Sequence, residues 1–366
     1  MLPIIKWPGG KDRELKYIIP LLPPDYNDFY DPFVGGGSVY AALRGRHYFI
    51  NDFSEELMSL YRAISDDDAA FYNFARRIDD AWGEADRFFD GSEELIGLYI
   101  SYRDNRLTEN DFLAAVSDYC IANRARINDI LSEKLAIAEN VLFDEIVKNL
   151  KRKMLRMKVL EVRKNTLSQA DVCENIRTAI KSALYMYFRY LYNAGQEPPL
   201  QTALFLFIRN YCYSAMFRYS SDGKFNVPYG GMAYNNKRLD RKLDYYRSRE
   251  VIERMAVTTL ANLDFEAFFD EFQPTENDFV FLDPPYDSEF STYAQNEFTR
   301  ADHLRLANYL VNHCPAKWML VIKNTDYIYN LYNHPGINIR AFNKAYQVSF
   351  MNRNDRSVEH LLITNY

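Results

Sequence analysis

No two of the four cysteines, Cys120, Cys173, Cys212 and Cys314, form a Cys-x-x-Cys pair, and no two of the five histidines stand at ligand spacing. That excludes a zinc ribbon and predicts reduced, structural thiols in a cytoplasmic protein without a metal. Gly-Lys-Ser and Gly-Lys-Thr are absent as well; Gly10-Lys11 runs into Asp12, which removes a Walker-type phosphate loop. No apolar stretch approaches membrane-spanning length, and the start, Met1 to Lys6, is too short for a signal peptide. Positive charge is not in excess. The 366 residues carry a formal net charge of −6, so any surface for nucleic acid must be a local patch. Internal repeats and low-complexity tracts are missing too.

What the chain does hold is aromatic: 29 tyrosines exceed the need of a core and suit a surface that stacks planar groups, although tyrosine serves equally at ordinary surfaces. The length allows one large or two ordinary domains. Residues 1–65 and 255–366 alternate apolar runs with helical patterns, as in an α/β sheet. Later strands are predicted at Trp318 to Ile322 and Glu359 to Thr364, and helices near Ala301 to His313 and Asp326 to Tyr332. Between them lies a mostly helical stretch whose apolar positions recur, as at Leu142, Ile146, Leu150, Met154 and Met157. Gly195-Gln196-Glu197-Pro198-Pro199 reads as a linker. The expected organisation is one sheet domain, 1–65 with 255–366, interrupted by a helical insertion, 66–199, and a further region, 200–254.

Two motifs carry chemistry. The short apolar run Phe279-Val280-Phe281-Leu282 reads as a buried parallel strand, and Asp283-Pro284-Pro285-Tyr286 follows it directly. The prolines stop the strand. Asp283 offers carboxylate oxygens, the carbonyl of Pro284 is a second acceptor, and Tyr286 supplies a stacking face, so the elbow suits a planar amine. Upstream, Asp31-Pro32-Phe33-Val34-Gly35-Gly36-Gly37-Ser38-Val39 reads as a strand entering a glycine turn ahead of a helix, Val39 to Arg44. A second run, Tyr48-Phe49-Ile50, ends at Asn51-Asp52, where doubly wound folds place an acid on a ribose diol. Together these point to a nucleotide-like cofactor.

Lys6-Trp7-Pro8-Gly9-Gly10-Lys11, the Asp31 to Val39 segment, Phe225-Asn226-Val227-Pro228-Tyr229-Gly230 and the Asp283 elbow occur in that order. Together they resemble the Dam-type (D12 class, alpha group) DNA adenine N6-methyltransferases over residues 1–65 and 200–366. The stretch between lacks their motifs and is longer than the family's usual insertion.

The resemblance implies a Rossmann-like methyltransferase sheet with a helical insertion and a base-reading hairpin. It implies methyl transfer from S-adenosyl-methionine to the N6 amine of an adenine flipped out of double-stranded DNA. Tyr286 would stack on that base while Asp283 and the Pro284 carbonyl, in the elbow completed by Pro285, accept the amine hydrogens. Trp7, Gly10 and Lys11 would close over the methionyl end, Phe33, Gly35 and Gly37 would line methionine and ribose, and Asp52 would bind the ribose hydroxyls. Asp264 and Phe265 would touch the cofactor's adenine, although Asp264 reads equally as the cap of a following helix. In the segment ending at the predicted turn Ser221-Asp222-Gly223, Tyr213 and Ser214 would flank the opened base pair, and Met216, Arg218 and Pro228 would face base edges. With Lys6 on an outer guanine, the implied target resembles GATC.

The run from Lys148 to Lys158 is strongly basic on an acidic background. It reads either as a solvated helix face or, through Lys151, Arg152 and Lys153, as a phosphate-contacting patch. Two further readings remain at this point. The same elbow serves methylation of cytosine N4, RNA bases or a glutamine side chain, although the Lys6 to Lys11 and Phe225 to Gly230 segments favour adenine in DNA. A non-catalytic DNA-binding protein on this scaffold is disfavoured by the intact elbow and glycine turn.

Overall fold

The computed structural model describes residues 1–163, 166–216, 218–286, 298–345 and 357–366. Two compact units divide them: residues 1–66, 217–223 and 246–366 form the first, and 67–216 with 224–245 the second.

The first unit is built on a seven-stranded sheet of β1 (Phe29–Asp31), β2 (Tyr48–Asn51), β3 (Thr258–Ala261), β4 (Phe279–Leu282), β5 (Lys317–Lys323), β6 (Asn338–Ala345) and β7 (Ser357–Thr364), in the order β3-β2-β1-β4-β5-β7-β6. The first five in that order run parallel; β7 is antiparallel to both β5 and β6. Alternation within the strands explains why both faces are buried. Val280, Leu282, Trp318, Leu320, Ile322, Leu361 and Ile363 point into one core with Phe265, Phe268 and Leu306 of the flanking helices. Their neighbours Phe279, Phe281, Met319, Val321 and Leu362 are equally buried on the other face. The Trp318 indole is held in that core by its Nε1, which donates to the Leu310 carbonyl at 2.9 Å.

Most of these elements were legible in the sequence. Strands β1, β2, β4, β5 and β7 fall on the expected runs, and the helices Arg300–Asn312 and Asp326–Tyr332 on the expected patterns. The first is started by a capping box of Thr299 and Asp302, the second by the Thr325 hydroxyl accepting from Ile328 N. Strands β3 and β6 were not anticipated, and both are edges of the sheet. An edge strand buries less side-chain surface and so needs no apolar run; β6 in particular interrupts Ile339, Ala341, Phe342 and Ala345 with Asn338, Arg340, Asn343 and Lys344.

The strand order positions the site. From β1 the chain proceeds outward to β2 and β3, whereas β4 returns to the opposite side of β1, pairing Tyr30 with Val280. Neighbouring β1 and β4 therefore feed their following loops in diverging directions, which opens a crevice above their carboxyl ends.

The second unit is helical, with its longest helices at Ala69–Asp90, Glu109–Ala122, Glu139–Arg163, Gln169–Ala194 and Pro198–Tyr211. Leu142, Ile146, Leu150, Met154 and Met157 form the buried stripe of Glu139–Arg163, as their spacing demands. Gly195, at φ +74°, ends Gln169–Ala194, and the Pro198-Pro199 pair opens the next helix within the same unit. Inside this unit Lys181 is fully buried, its ammonium 2.9 Å from Asp86 and over the Trp82 ring. Burial pulls its pKa down to about 8 against the opposing pull of Asp86.

Candidate active site

The elbow stands at the carboxyl end of β4. Its Asp283 carboxylate is ion-paired with Lys11, whose Nζ also donates to the Gly9 carbonyl at 2.9 Å and to the Tyr286 hydroxyl at 3.2 Å. Lys11 is only 2% exposed, so its charge is tolerated because three acceptors surround it. The ammonium also lies 5.4 Å from the centre of the Tyr286 ring, whose edge meets the buried imidazole of His360 at the same separation. A lysine from the amino-terminal loop thus holds both functional groups of the elbow.

Beside it, at the end of β1, Asp31 is as deeply buried as Lys11. Burial raises its carboxyl pKa well above the ordinary range; the nearby Asp283 and Asp52 push the same way, while the Phe33 N–H and Lys11 oppose.

The glycine turn follows Asp31, and two of its residues are glycine for different physical reasons. A side chain on Gly36 would place its Cβ 2.2 Å from the Ile5 carbonyl, because the amino-terminal segment crosses there and Ile4 N donates to Gly36 O. Gly37 is left-handed at φ +81°, and its Cβ would lie 2.6 Å from the Tyr61 hydroxyl. The Asp52 carboxylate closes the turn from the end of β2. Its two oxygens accept from Gly35 N at 3.0 Å and Ser54 N at 2.9 Å. Burial nevertheless pushes its pKa up to about 6, the backbone N–H groups of Ser54, Gly35 and Phe53 opposing. The preceding Asn51 acts as a clamp, its amide bonding Pro32 O and both backbone groups of Leu263.

A cavity of about 950 Å³ lies over these strand ends. Trp7, Gly10, Lys11, Phe33, Gly35, Asp52, Asp264 and Phe265 line it together with Asp283, Pro284, Pro285 and Tyr286, residues as far apart in sequence as 7 and 286. Gly37 is not among its walls; it is turned against Tyr61. Lys6 is exposed and also outside the lining. Asp264 does both things its sequence allowed. It caps the helix Phe265–Phe272 by accepting from Glu266 N at 3.0 Å, and it lines the cavity, with Arg305 bonded to both carboxylate oxygens.

The lining includes residues that the sequence alone did not single out. Asp31 stands inside a motif yet had no role assigned to it, and its burial beside Lys11 is visible only in the structure. Phe53, 59% exposed and immediately after Asp52, offers a bare aromatic face to the cavity. An aromatic next to the ribose-type acid was a readable signal. Tyr219 and Phe298 also line the cavity.

The remaining candidates lie as follows. Tyr213, Ser214 and Met216 stand in a short left-handed kink, with Ser214 at φ +54° and Ala215 at +52°. The buried Arg209 braces it by donating to the Ala215 and Met216 carbonyls at 3.0 and 2.7 Å. This keeps the Tyr213 ring about half exposed. Tyr213 N bonds the carbonyl of Pro228, and Cys212 bridges to Tyr229, so the chain reverses across this segment. The expected turn is present: Gly223 N donates to Ser220 O. Arg218 is half-buried in the first unit. Lys151, Arg152 and Lys153 lie on Glu139–Arg163, but not together. Arg152 and Lys153 share a face, whereas Lys151 lies near the buried thiol of Cys120, which burial raises to about 12 against the pull of that lysine.

The profile of the D12 class N6 adenine-specific DNA methyltransferases matches residues 7–109 and 113–349. The chain is 24% identical to the Type II methyltransferase M.CviBI of Paramecium bursaria Chlorella virus NC1A, over 100% of both chains. It is 25% identical to the Type II methyltransferase M.MjaIII of Methanocaldococcus jannaschii, covering 100% of this chain and 99% of that one. With the DNA adenine methylase of Escherichia coli K12 it shares 28% identity over 34% of this chain and 44% of the other.

Proposed function

Because the chain belongs to the D12 class N6 adenine-specific DNA methyltransferases, we propose that its 950 Å³ cavity binds S-adenosyl-methionine beside an adenine flipped out of double-stranded DNA. The protein is an adenine-specific DNA methyltransferase. That family membership favours adenine in DNA over cytosine N4 or RNA as the planar amine. The observation that carries the reading is the convergence of the Asp283 elbow and the glycine turn on one cavity at adjacent strand ends.

The residues present fit the donor. Asp52 offers a carboxylate for ribose hydroxyls, the backbone at Gly10 and Gly35 permits close approach, and Phe33, Phe53 and Phe265 supply apolar and stacking surface for the base and the methionyl chain. Trp7 packs over the turn, where a Cβ on Gly35 would lie 2.9 Å from its indole. Asp264 and Phe265, on the same cavity wall, would meet the donor's adenine. When bound, S-adenosyl-methionine supplies an activated methyl group on a sulfonium.

Every other task falls to the chain. An adenine amine entering the elbow meets the Asp283 carboxylate and the Pro284 carbonyl as acceptors for its two hydrogens, which orients the nitrogen lone pair away from them. Tyr286 stacks on the ring, held by Lys11 and His360. The amine becomes cationic as it gains its methyl group, and the negative end of the elbow stabilises that charge before the proton is shed to solvent. No strong general base is needed.

For target choice, the kink with Tyr213 and Ser214 would flank the opened pair, and Lys6, Met216, Arg218 and Pro228 would read a GATC-like site. Of the basic positions Lys151, Arg152 and Lys153, the two that share a face, Arg152 and Lys153, are the candidates for phosphate contact, while Lys151 lies apart near Cys120. Labelled methyl transfer to duplex DNA, with RNA as the comparison, tests the substrate, and modified-base sequencing of the product tests the site. Label incorporated into RNA but not DNA would overturn the reading.

A further inference from the structure

The helix Glu139–Arg163 sorts its basic run into two sets. Glu145, Lys148, Asn149, Arg152 and Lys153 recur at three- and four-residue intervals and so share one face. With Arg189 of Gln169–Ala194 and the chain at Pro228 and Gly231, that face lines a cavity of about 400 Å³ inside the helical unit. Lys151 is not part of it, and Lys158 is committed elsewhere, donating to Tyr102 O at 2.7 Å and Asn105 Oδ1 at 2.8 Å.

Four cations meet one acid in this cavity, and the acid is already engaged. Glu145 accepts from Lys148 Nζ through one oxygen and from the Asn149 amide through the other, both at 2.9 Å. Among the described residues none of Arg152, Lys153 and Arg189 is ion-paired with a carboxylate. Arg152 donates to Asn149 Oδ1 at 2.7 Å and Arg189 to Val227 O at 3.1 Å, which fixes each guanidinium and leaves most of its N–H groups for another partner. Burial pulls the Lys153 pKa below its ordinary value, and the adjacent Arg156 and Arg152 add to that pull. Crowded like charges of this kind are relieved by a bound anion.

We propose that this cavity is a phosphate-binding site that receives a backbone phosphodiester of the DNA substrate. The assignment rests on the DNA-methyltransferase reading above. Two positioned guanidinium forks match the oxygens of a phosphate better than a point charge would, and such groups hold the duplex without reading its sequence.

The full-length enzyme tests it through the salt dependence of binding to a random-sequence duplex. The double variant Arg152→Gln, Lys153→Gln should flatten the slope of log K against log[salt] by about 0.9 for each phosphate no longer neutralised, whereas Lys151→Gln, which removes one charge from outside the cavity, should leave it unchanged. Thermal melting checks folding. Should the double variant unfold, Lys148→Gln at the largely exposed rim should still lower the slope by about 0.9. Unaltered slopes, or an equal change in Lys151→Gln, overturn the site. Titration with inorganic phosphate separates the sources: saturable phosphate binding abolished in the double variant, with an unchanged DNA slope, would assign the cavity to a free phosphate compound and also overturn it. Methyl transfer at saturating duplex is measured in parallel. Activity retained alongside an unchanged slope removes this site and leaves the enzyme's function standing.

Discussion

Lys11 bridges Asp283 and Tyr286, two residues more than 270 positions away, from within 3.2 Å of the tyrosine hydroxyl. The acceptor and the stacking face of the elbow are therefore set relative to each other by a third side chain that belongs to a different motif. Asp283 is 19% exposed, and the lysine gives it a counter-charge beside the place where the proposed target amine would bind.

Removing either end should be measurable. Asp283→Ala should abolish methyl transfer while calorimetry shows S-adenosyl-methionine binding largely intact. Lys11→Met should lower turnover by about 100-fold, since Asp283 then loses its counter-charge and Tyr286 its anchor. Tyr286→Ala should cost about 1–3 kcal/mol of base stacking, read as weaker binding of a duplex with an already unpaired target adenine. Near-normal turnover in Asp283→Ala would sink the proposed mechanism.

The raised Asp52 pKa predicts a pH dependence with a definite sign. Its folded value of about 6 lies above the ordinary 3.8, so folding favours the protonated form. Its contribution to the stability of the free protein is then greatest below the ordinary value and declines as pH rises from about 4 to about 6. Donor binding runs oppositely, because ribose hydroxyls need the ionised acceptor. Affinity for S-adenosyl-methionine should fall as pH drops through 6, and Asp52→Asn should bind weakly with that dependence removed. Parallel calorimetric pH profiles for the two proteins would discount Asp52.

Gly36 makes a steric prediction. Gly36→Ala drives a methyl group into the Ile5 backbone, which cannot rotate away as a flexible side-chain tip could. Stability should fall by about 1–3 kcal/mol in denaturant unfolding, with donor affinity reduced as the Trp7 loop shifts. An unchanged midpoint would mean that the amino-terminal crossing is loose.

For target choice, Arg218→Ala should relax discrimination at one G·C pair by about 1–3 kcal/mol and leave the methylated base an adenine. Modified-base sequencing of DNA from cells expressing each protein reads this directly. Identical site preference would take Arg218 out of base recognition.

The elbow, the glycine turn and Asp52 were legible because each is a contiguous run in which strand, breaker and functional group are covalent neighbours. Apolar strands that end in Pro284-Pro285 or in Gly35-Gly36-Gly37 announce both their burial and their termination. Strands β3 and β6 were silent for the opposite reason, since partial burial at a sheet edge leaves no pattern to read. Nothing in the sequence distinguished Gly37, packed against Tyr61, from Gly35 on the cavity wall, nor gave Asp31 its place beside Lys11. The sequence by itself thus determined the family of chemistry and the local shapes that serve it. Only the tertiary structure decided which charges meet, because the strand order brings the ends of β1 and β4 together, and electrostatic interactions depend on distance through space rather than along the chain.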